Sequence, residues 1–233
     1  MTINPIGYFH SPLTTKFGIP RQSGLANNLE GYISFEPPYR HAEGLRGLED
    51  FDFIWLIWDF SENHHEEKNS QRPSLTVRPP LLGGNTRMGV FATRSPFRPN
   101  HLGLSSVRIR QIEWDTAEGP IIHVTGADLM DGTPIYDIKP YLPYADCHPE
   151  ARGGFTDNHV WQKLQVVIPD QVQESLSSED LHTLRELLEL DPRPQYHDDP
   201  ERVYGMTFKG QDYHFRVNQG TLTVISPASF NKK

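Results

Sequence analysis

Cysteine is nearly absent: Cys147 is the only one in 233 residues. That excludes an internal disulfide and a cysteine-rich zinc site, and it fits a reducing compartment. No stretch approaches the about 18 consecutive apolar residues of a membrane span, and no basic segment followed by an apolar run opens the chain. A soluble, cytoplasmic protein with no membrane partner is therefore expected. Gly-x-Gly-x-x-Gly is missing between a strand and a helix, and Gly83-Gly84 is not followed by Gly-Lys-Ser/Thr, so neither a dinucleotide fold nor a phosphate loop is indicated. His-Glu-x-x-His is missing too. The segment Ser61–Lys68 (SENHHEEK) gathers histidine and glutamate, but adjacent His64 and His65 would point apart on a regular element. A solvated loop is preferred there, and no metal is expected. Internal repeats and low-complexity tracts are likewise absent.

One further absence is local. Between Arg72 and Arg110 there is no Asp or Glu, although seven arginines fall there and the whole chain carries a formal net charge of -8. The acids sit elsewhere: Asp170–Arg202 holds ten acids against three arginines. The heart of the basic region, Arg78–Ser105 (RPPLLGGNTRMGVFATRSPFRPNHLGLS), is dense in proline and glycine. It reads as ordered loop and turn with one short strand-like piece, Met88–Ala92. Arginine forks match carboxylates and phosphates, and functional residues concentrate on loops held by a rigid scaffold. An anion or nucleotide site is the favoured reading, and an arginine-lined structural loop is the plain alternative.

What surrounds this loop is mostly strand. Ile6–Phe9, Gly31–Phe35 and Ile135–Ile138 are strand-like. Phe51–Phe60 (FDFIWLIWDF) is the most apolar run and reads as a buried strand rich in aromatic and β-branched residues. Ser105–Trp114 alternates Val107 and Ile109 against Arg108 and Arg110, and with Ile121–Thr125 it forms a predicted hairpin. His41–Leu48 is expected as a short helix. Glu36-Pro37-Pro38-Tyr39 resembles a methyltransferase Asp/Asn-Pro-Pro-Tyr motif, but the leading Glu and the missing cofactor loop favour a proline turn.

From about Leu164 the pattern changes. Ser177–Asp180 looks like a helix start, Leu181, Leu184, Leu187 and Leu188 form an apolar stripe, and Asp191-Pro192-Arg193-Pro194 stops it. Three strands follow, Val203–Phe208, Tyr213–Val217 and Thr221–Ile225. The expectation is a mainly β main domain (1–160), a barrel or strongly curved sheet, with a small α+β domain (165–233) of one helix and a three-stranded meander.

Three motifs in order, FGIPRQ (Phe17–Gln22), ATRSPFRPN (Ala92–Asn100) and DGTPIYDIKPYLPY (Asp131–Tyr144), together with the later DPRP segment, resemble the TrmO-type (YaeB/TsaA-like) proteins over nearly the whole chain. The resemblance implies a homodimeric, single-sheet β-barrel methyltransferase, not a Rossmann one. It implies S-adenosyl-L-methionine as methyl donor and tRNA as substrate, at the N6-threonylcarbamoyladenosine of position 37 beside the anticodon. By the same resemblance, the donor is contacted by Pro20, Arg21 and Gln22, by Arg94 and Leu104, and by the turn Asp128, Leu129, Asp131, Gly132, Thr133 and Pro134. The segment after the long apolar strand also contributes, where the family often has His. This chain has Ser61 followed by Glu62, which favours a backbone contact and leaves His64 or His65 as a stand-in.

Methyl transfer from a sulfonium is an in-line displacement that rewards positioning. An acid near the donor's cationic groups and an arginine near its carboxylate would complement it, with Asp128 or Asp131 and Arg21 or Arg94 as candidates. A base must take the acceptor's proton. Asp137 and Tyr141 are candidates, with Lys139 steadying developing charge; the alternative is that Asp137 holds a turn and Tyr141 packs. Arg98 and Arg108 suit tRNA phosphates or the threonine carboxylate, and Phe97 or Tyr144 suits base stacking. A non-catalytic donor- and RNA-binding module is the competing reading.

Overall fold

In the computed structural model, residues 2–63, 75–158, 162–194 and 199–225 are described. The first strands are β1 (Gly7–His10), β2 (Glu30–Phe35) and β3 (Phe53–Asp59). A two-residue pair follows, β4 (Thr76–Val77) and β5 (Met88–Gly89), and then β6 (Leu102–Glu113), β7 (Ile121–Thr125) and β8 (Thr133–Pro140). Six of these close into a barrel in the order β1-β2-β7-β6-β3-β8, with every neighbour antiparallel. Closure removes the free edges that an open sheet would present.

The alternation in the apolar run decides which way β3 faces. Ile54, Leu56 and Trp58 point into the barrel core with Phe9, Ile33, Val107, Ile122, Val124 and Ile135, while Phe53, Trp55 and Ile57 are partly exposed on the outside. Gly103 of β6 makes room for this: a Cβ there would meet the Trp58 ring at 2.3 Å.

The second sheet is larger than the expected meander. Strand β9 (Gln165–Val167) pairs parallel with β12 (Thr221–Ile225), giving the order β10-β11-β12-β9 with β10 (Tyr204–Phe208) and β11 (Gln211–Asn218). A one-turn helix α1 (Pro143–Asp146) leaves the barrel, α2 (Asp170–Gln173) follows β9, and α3 (Ser178–Glu189) packs on the sheet. The predicted helix start is the observed one: Ser177 Oγ accepts from the Asp180 N–H at 3.0 Å. Its stripe Leu184, Leu187 and Leu188 is fully buried against Met206, Phe215, Leu222 and Val224.

Two local expectations change. Residues 41–48 form no α-helix but 3-10 turns, Ala42–Leu45 and then Leu48–Asp50 beyond Gly47, whose φ of 86° breaks any continuous helix. Met88–Ala92 is strand only at Met88–Gly89, and Val90–Ala92 turns back as a 3-10 helix.

Among the described residues, the segment between β1 and β2 ties the two cores together. Leu13, Ala26 and Leu29, between β1 and β2, are buried in the second core and not in the barrel. Backbone N–H groups of Asn27 and Asn28 donate to the Glu186 carboxylate at 2.9 Å each, and Thr183 Oγ1 donates to Asn28 O at 3.1 Å. Gly18, at φ 95°, lies so close to Met206 that a Cβ would meet its sulfur at 2.5 Å.

Candidate active site

Where the connection from β1 crosses the end of the barrel, a cavity of about 520 Å³ opens. That lies within the range of small-molecule sites, about 300–1,000 Å³. Five pieces of chain wall it: Lys16–Gln22, the end of β3 with the turn Ser61–Asn63, the arginine loop from Thr93 to Arg98, the start of β6, and the turn Asp128–Thr133. Of the residues expected to hold a donor, Pro20, Arg21, Gln22, Ser61, Glu62, Arg94, Leu104, Asp128 and Thr133 line it. The others form the back of the same turn. Leu129 is buried in the barrel core. The Asp131 carboxylate accepts from Ser11 N–H at 3.0 Å, Gly132 N–H donates to Phe9 O at 2.8 Å, and Pro134 stands opposite Tyr8 in the β8–β1 ladder.

The inner wall is a hydrogen-bonded chain. Trp58 Nε1 donates to Ser105 Oγ at 2.9 Å, and Ser105 Oγ donates to Asp128 Oδ1 at 2.5 Å. Burial raises the Asp128 pKa, and the Ser105 hydrogen bond and the nearby Arg94 charge partly offset this. Arg94 itself donates to Gln22 Oε1 at 2.5 Å, which joins the first and second sequence motifs across 72 residues of chain. Arg21 behaves differently from Arg94. Its Nη2 donates to the carbonyls of Asp191 and Arg193, both at 3.1 Å, so the guanidinium ties the cavity wall to the DPRP segment. Burial lowers its pKa, opposed by the Asp191 charge. Asp191 in turn accepts a two-pronged contact from Arg193 at 2.8 and 2.9 Å.

Asp137, Lys139 and Tyr141 do not line the cavity; they lie beside it on the outer face of the barrel. Strand register makes this explicit. Leu104 of β6 pairs with Ile57 of β3, and Ile57 with Asp137 of β8; the next row is Ser106, Trp55 and Lys139. Tyr141 N–H donates to Phe53 O at 3.0 Å beyond them. Leu104 and Trp55 line the cavity, so the same sheet face runs from the cavity to Asp137, two strand spacings or about 10 Å away. Lys139 Nζ stands 3.4 Å from Asp137 Oδ2, a half-exposed pair worth little to stability. The Tyr141 ring lies against Trp55 and Phe53, and its hydroxyl pKa is raised by desolvation and by Cys147. Arg108 covers the other side of this patch, 4.5 Å from the Phe53 ring centroid. Arg98 lines the cavity and donates to Thr93 O at 3.2 Å; Phe97 beside it in sequence is exposed, and so is Tyr144 in helix α1. His64 and His65 lie outside the described residues.

Asp59 and Tyr136 are among the residues missed from sequence. Asp59, buried to 6% exposure, lines the cavity at the end of β3, and Tyr136 Oη donates to its Oδ2 at 3.0 Å. Asp59 stood inside the apolar run with nothing to mark it, and Tyr136 inside a motif whose neighbours drew the assignment. Among the described residues no group of three or more His, Cys, Asp or Glu is placed to hold a metal ion, and no helix is long and apolar enough to cross a membrane. The wall carries both signs of charge beside aromatic and aliphatic surface. It suits a zwitterionic ligand with a flat, partly apolar body.

Comparison with known proteins gives the same direction. Residues 8–147 match the family model described as tRNA-methyltransferase O N-terminal domain, and residues 161–228 match the TrmO C-terminal domain. The tRNA (adenine(37)-N6)-methyltransferase of Escherichia coli (strain K12) is 36% identical over 229 residues, 95% of each chain. The protein of that name from Eikenella corrodens is 46% identical over 171 residues, covering 73% of this chain and 93% of its own. A crystal structure of TrmO from Pseudomonas aeruginosa superposes with a TM-score of 0.74 at 31% identity, covering 96% of both chains. This chain belongs to the tRNA-methyltransferase O family.

Proposed function

We propose that this chain transfers the methyl group of S-adenosyl-L-methionine to N6 of N6-threonylcarbamoyladenosine at position 37 of tRNA, and that it does so as a homodimer. The coarser reaction, S-adenosylmethionine-dependent N6-methylation of adenine 37 in tRNA, follows from family membership and from the names its relatives carry. The observation that carries the reading is the continuity of one sheet face: the cavity wall at Leu104 and the half-exposed carboxylate of Asp137 flank Ile57 in a single row. A donor and an acceptor held at the two ends of that row would meet over Ile57.

The cavity residues fit the donor. Arg94, steadied by Gln22, is the partner for its carboxylate, Asp128 faces cationic or hydroxyl groups, and Trp55 and Leu104 offer surface to the flat base. When bound, the donor supplies a methyl on a positively charged sulfur. The chain's own residues then orient N6 and remove its proton. Asp137 accepts that proton, and Lys139, already paired with it, moderates the charge of the carboxylate and of the ureido group. Tyr141 closes the far side of the shelf by packing on Phe53 and Trp55. Arg98 and Arg108 serve phosphates or the threonine carboxylate, and Phe97 or Tyr144 a stacked base.

The homodimer reading is supported by an apolar side chain left at the surface outside the cavity, Phe91 at 74% exposure. The same reading assigns residues 1–160 to methyl transfer and 165–233 to a separate small domain, and it locates the protein in the cytoplasm with tRNA.

The test is mass spectrometry of nucleosides from tRNA incubated with the protein and donor. Methylated product is expected from tRNA bearing the threonylcarbamoyl group and little from tRNA with plain adenosine 37. Equal methylation of both would remove the modified base from the proposal. Donor binding with no turnover would favour the non-catalytic module.

A further inference from the structure

Asp59 ends β3 and occupies a costly position. It is a carboxylate with 6% exposure in the wall of the cavity, and taking a charge out of water is unfavourable unless partners or a ligand compensate. The chain departs from regular pairing to supply one such partner. Along β8, Asp137 faces Ile57 while Ile135 faces Trp58, so Tyr136 is the extra residue of a β-bulge. A bulge re-aims a side chain, and here it brings the phenol to Asp59 Oδ2 at 3.0 Å. The phenol's pKa is pushed up to about 12, by desolvation first and then by the bond to Asp59, so at neutral pH the hydroxyl keeps its proton and stays a donor.

Asp59 also has a defined relation to the reaction path. By strand alternation it shares the face of Ile57 and Trp55, one i, i+2 step, about 6.6 Å, beyond Ile57. There it stands opposite Leu102 of β6, in the row next to the one running from Leu104 through Ile57 to Asp137. Two other carboxylates line the cavity. Asp128 accepts from Ser105 on the inner wall and already faces the Arg94 charge, and Glu62 is exposed on the turn after β3.

We propose that Asp59, held in place by the Tyr136 hydroxyl, is the group that recognises the positive charge of the donor's sulfonium, with Tyr136 as its positioning residue. This rests on the methyl-transfer reading above and adds a specificity to it. The product, S-adenosylhomocysteine, is a neutral thioether, so the attraction vanishes once the methyl has left. The site then favours donor over spent product, which aids exchange between turnovers.

The experiment is calorimetric titration of the full chain with S-adenosylmethionine and, separately, with S-adenosylhomocysteine, alongside thermal melting. The wild type should favour the donor. Asp59→Asn should weaken donor binding roughly 10-fold or more while changing product binding little, because only the donor carries the complementary charge. Tyr136→Phe, which keeps the ring, should lose part of the same preference. Equal weakening of both ligands, or no change in either, in a variant that melts normally would overturn the assignment. If Asp59→Asn does not fold, Tyr136→Phe decides alone by the same ratio. A wild type that binds neither compound overturns the methyl-transfer reading, and this inference with it.

Discussion

Arg94 and Arg21 show how differently two arginines of adjoining walls are used. Arg94 donates to Gln22 and leans toward Asp128, so its charge remains at the cavity. Arg21 is spent on two carbonyls of the DPRP segment. Arg94→Ala should therefore weaken S-adenosylmethionine binding by about 10- to 100-fold, the loss of one charge-assisted contact, with unchanged melting temperature. Calorimetry with a melting curve checks this, and unchanged affinity would count against the residue. At this scale the sequence motifs were informative because Pro, Gly and Arg leave marks that survive without a structure. Nine of the expected donor contacts do line the cavity. Asp59 and Tyr136 left no such mark, since a buried acid in an apolar strand becomes meaningful only when its cross-strand partner is known.

Among elements, the bulge in β8 and the N-cap of α3 make separate predictions. The Tyr136 phenol has a folded pKa of about 12 against 10.0 for the free group. A raised folded pKa gives stability that is fully present below the unfolded value and lost as pH rises through the folded one. Wild type should thus lose stability relative to Tyr136→Phe between about pH 10 and 12 and not below that window. Parallel denaturant melts across this range check it, and parallel pH curves for the two proteins would contradict it. Ser177→Ala should cost about 1 kcal/mol by freeing the Asp180 N–H. The long strands and α3 were legible because their periods, two and 3.6, run over many residues. Strand β9 was not, because three residues carry no period and its parallel partner, β12, lies more than fifty residues away in sequence. The turns at Ala42–Leu45 and Leu48–Asp50 read as helix because leucines at i, i+3 fit both geometries.

The molecule as a whole is two cores stitched by the segment between β1 and β2. Leu13 is fully buried among residues of the second core although it follows a barrel strand. Leu13→Ala should cost about 2–5 kcal/mol by opening a cavity there, measured by chemical denaturation. A cost below about 1 kcal/mol would mean the second core closes without it. This stitching, invisible in a reading that cut the chain near residue 160, explains why one wall of the cavity is anchored by Arg21 to Asp191 and Arg193. The charge division was legible from the start. The acid-free arginine loop overhangs the cavity and the acidic segment forms much of the second unit, a division of charge that suits the tRNA substrate proposed above.

The proposed reaction needs two separate places, the cavity at Arg94 for the donor and the shelf at Asp137 for the proton. Steady-state transfer of labelled methyl from S-adenosylmethionine to tRNA, in wild type, Arg94→Ala and Asp137→Asn, tests it directly. Arg94→Ala should raise the donor KM, whereas Asp137→Asn should lower kcat by about 100-fold with donor affinity unchanged. Wild-type kcat in Asp137→Asn, or a donor KM unmoved in Arg94→Ala, would contradict it.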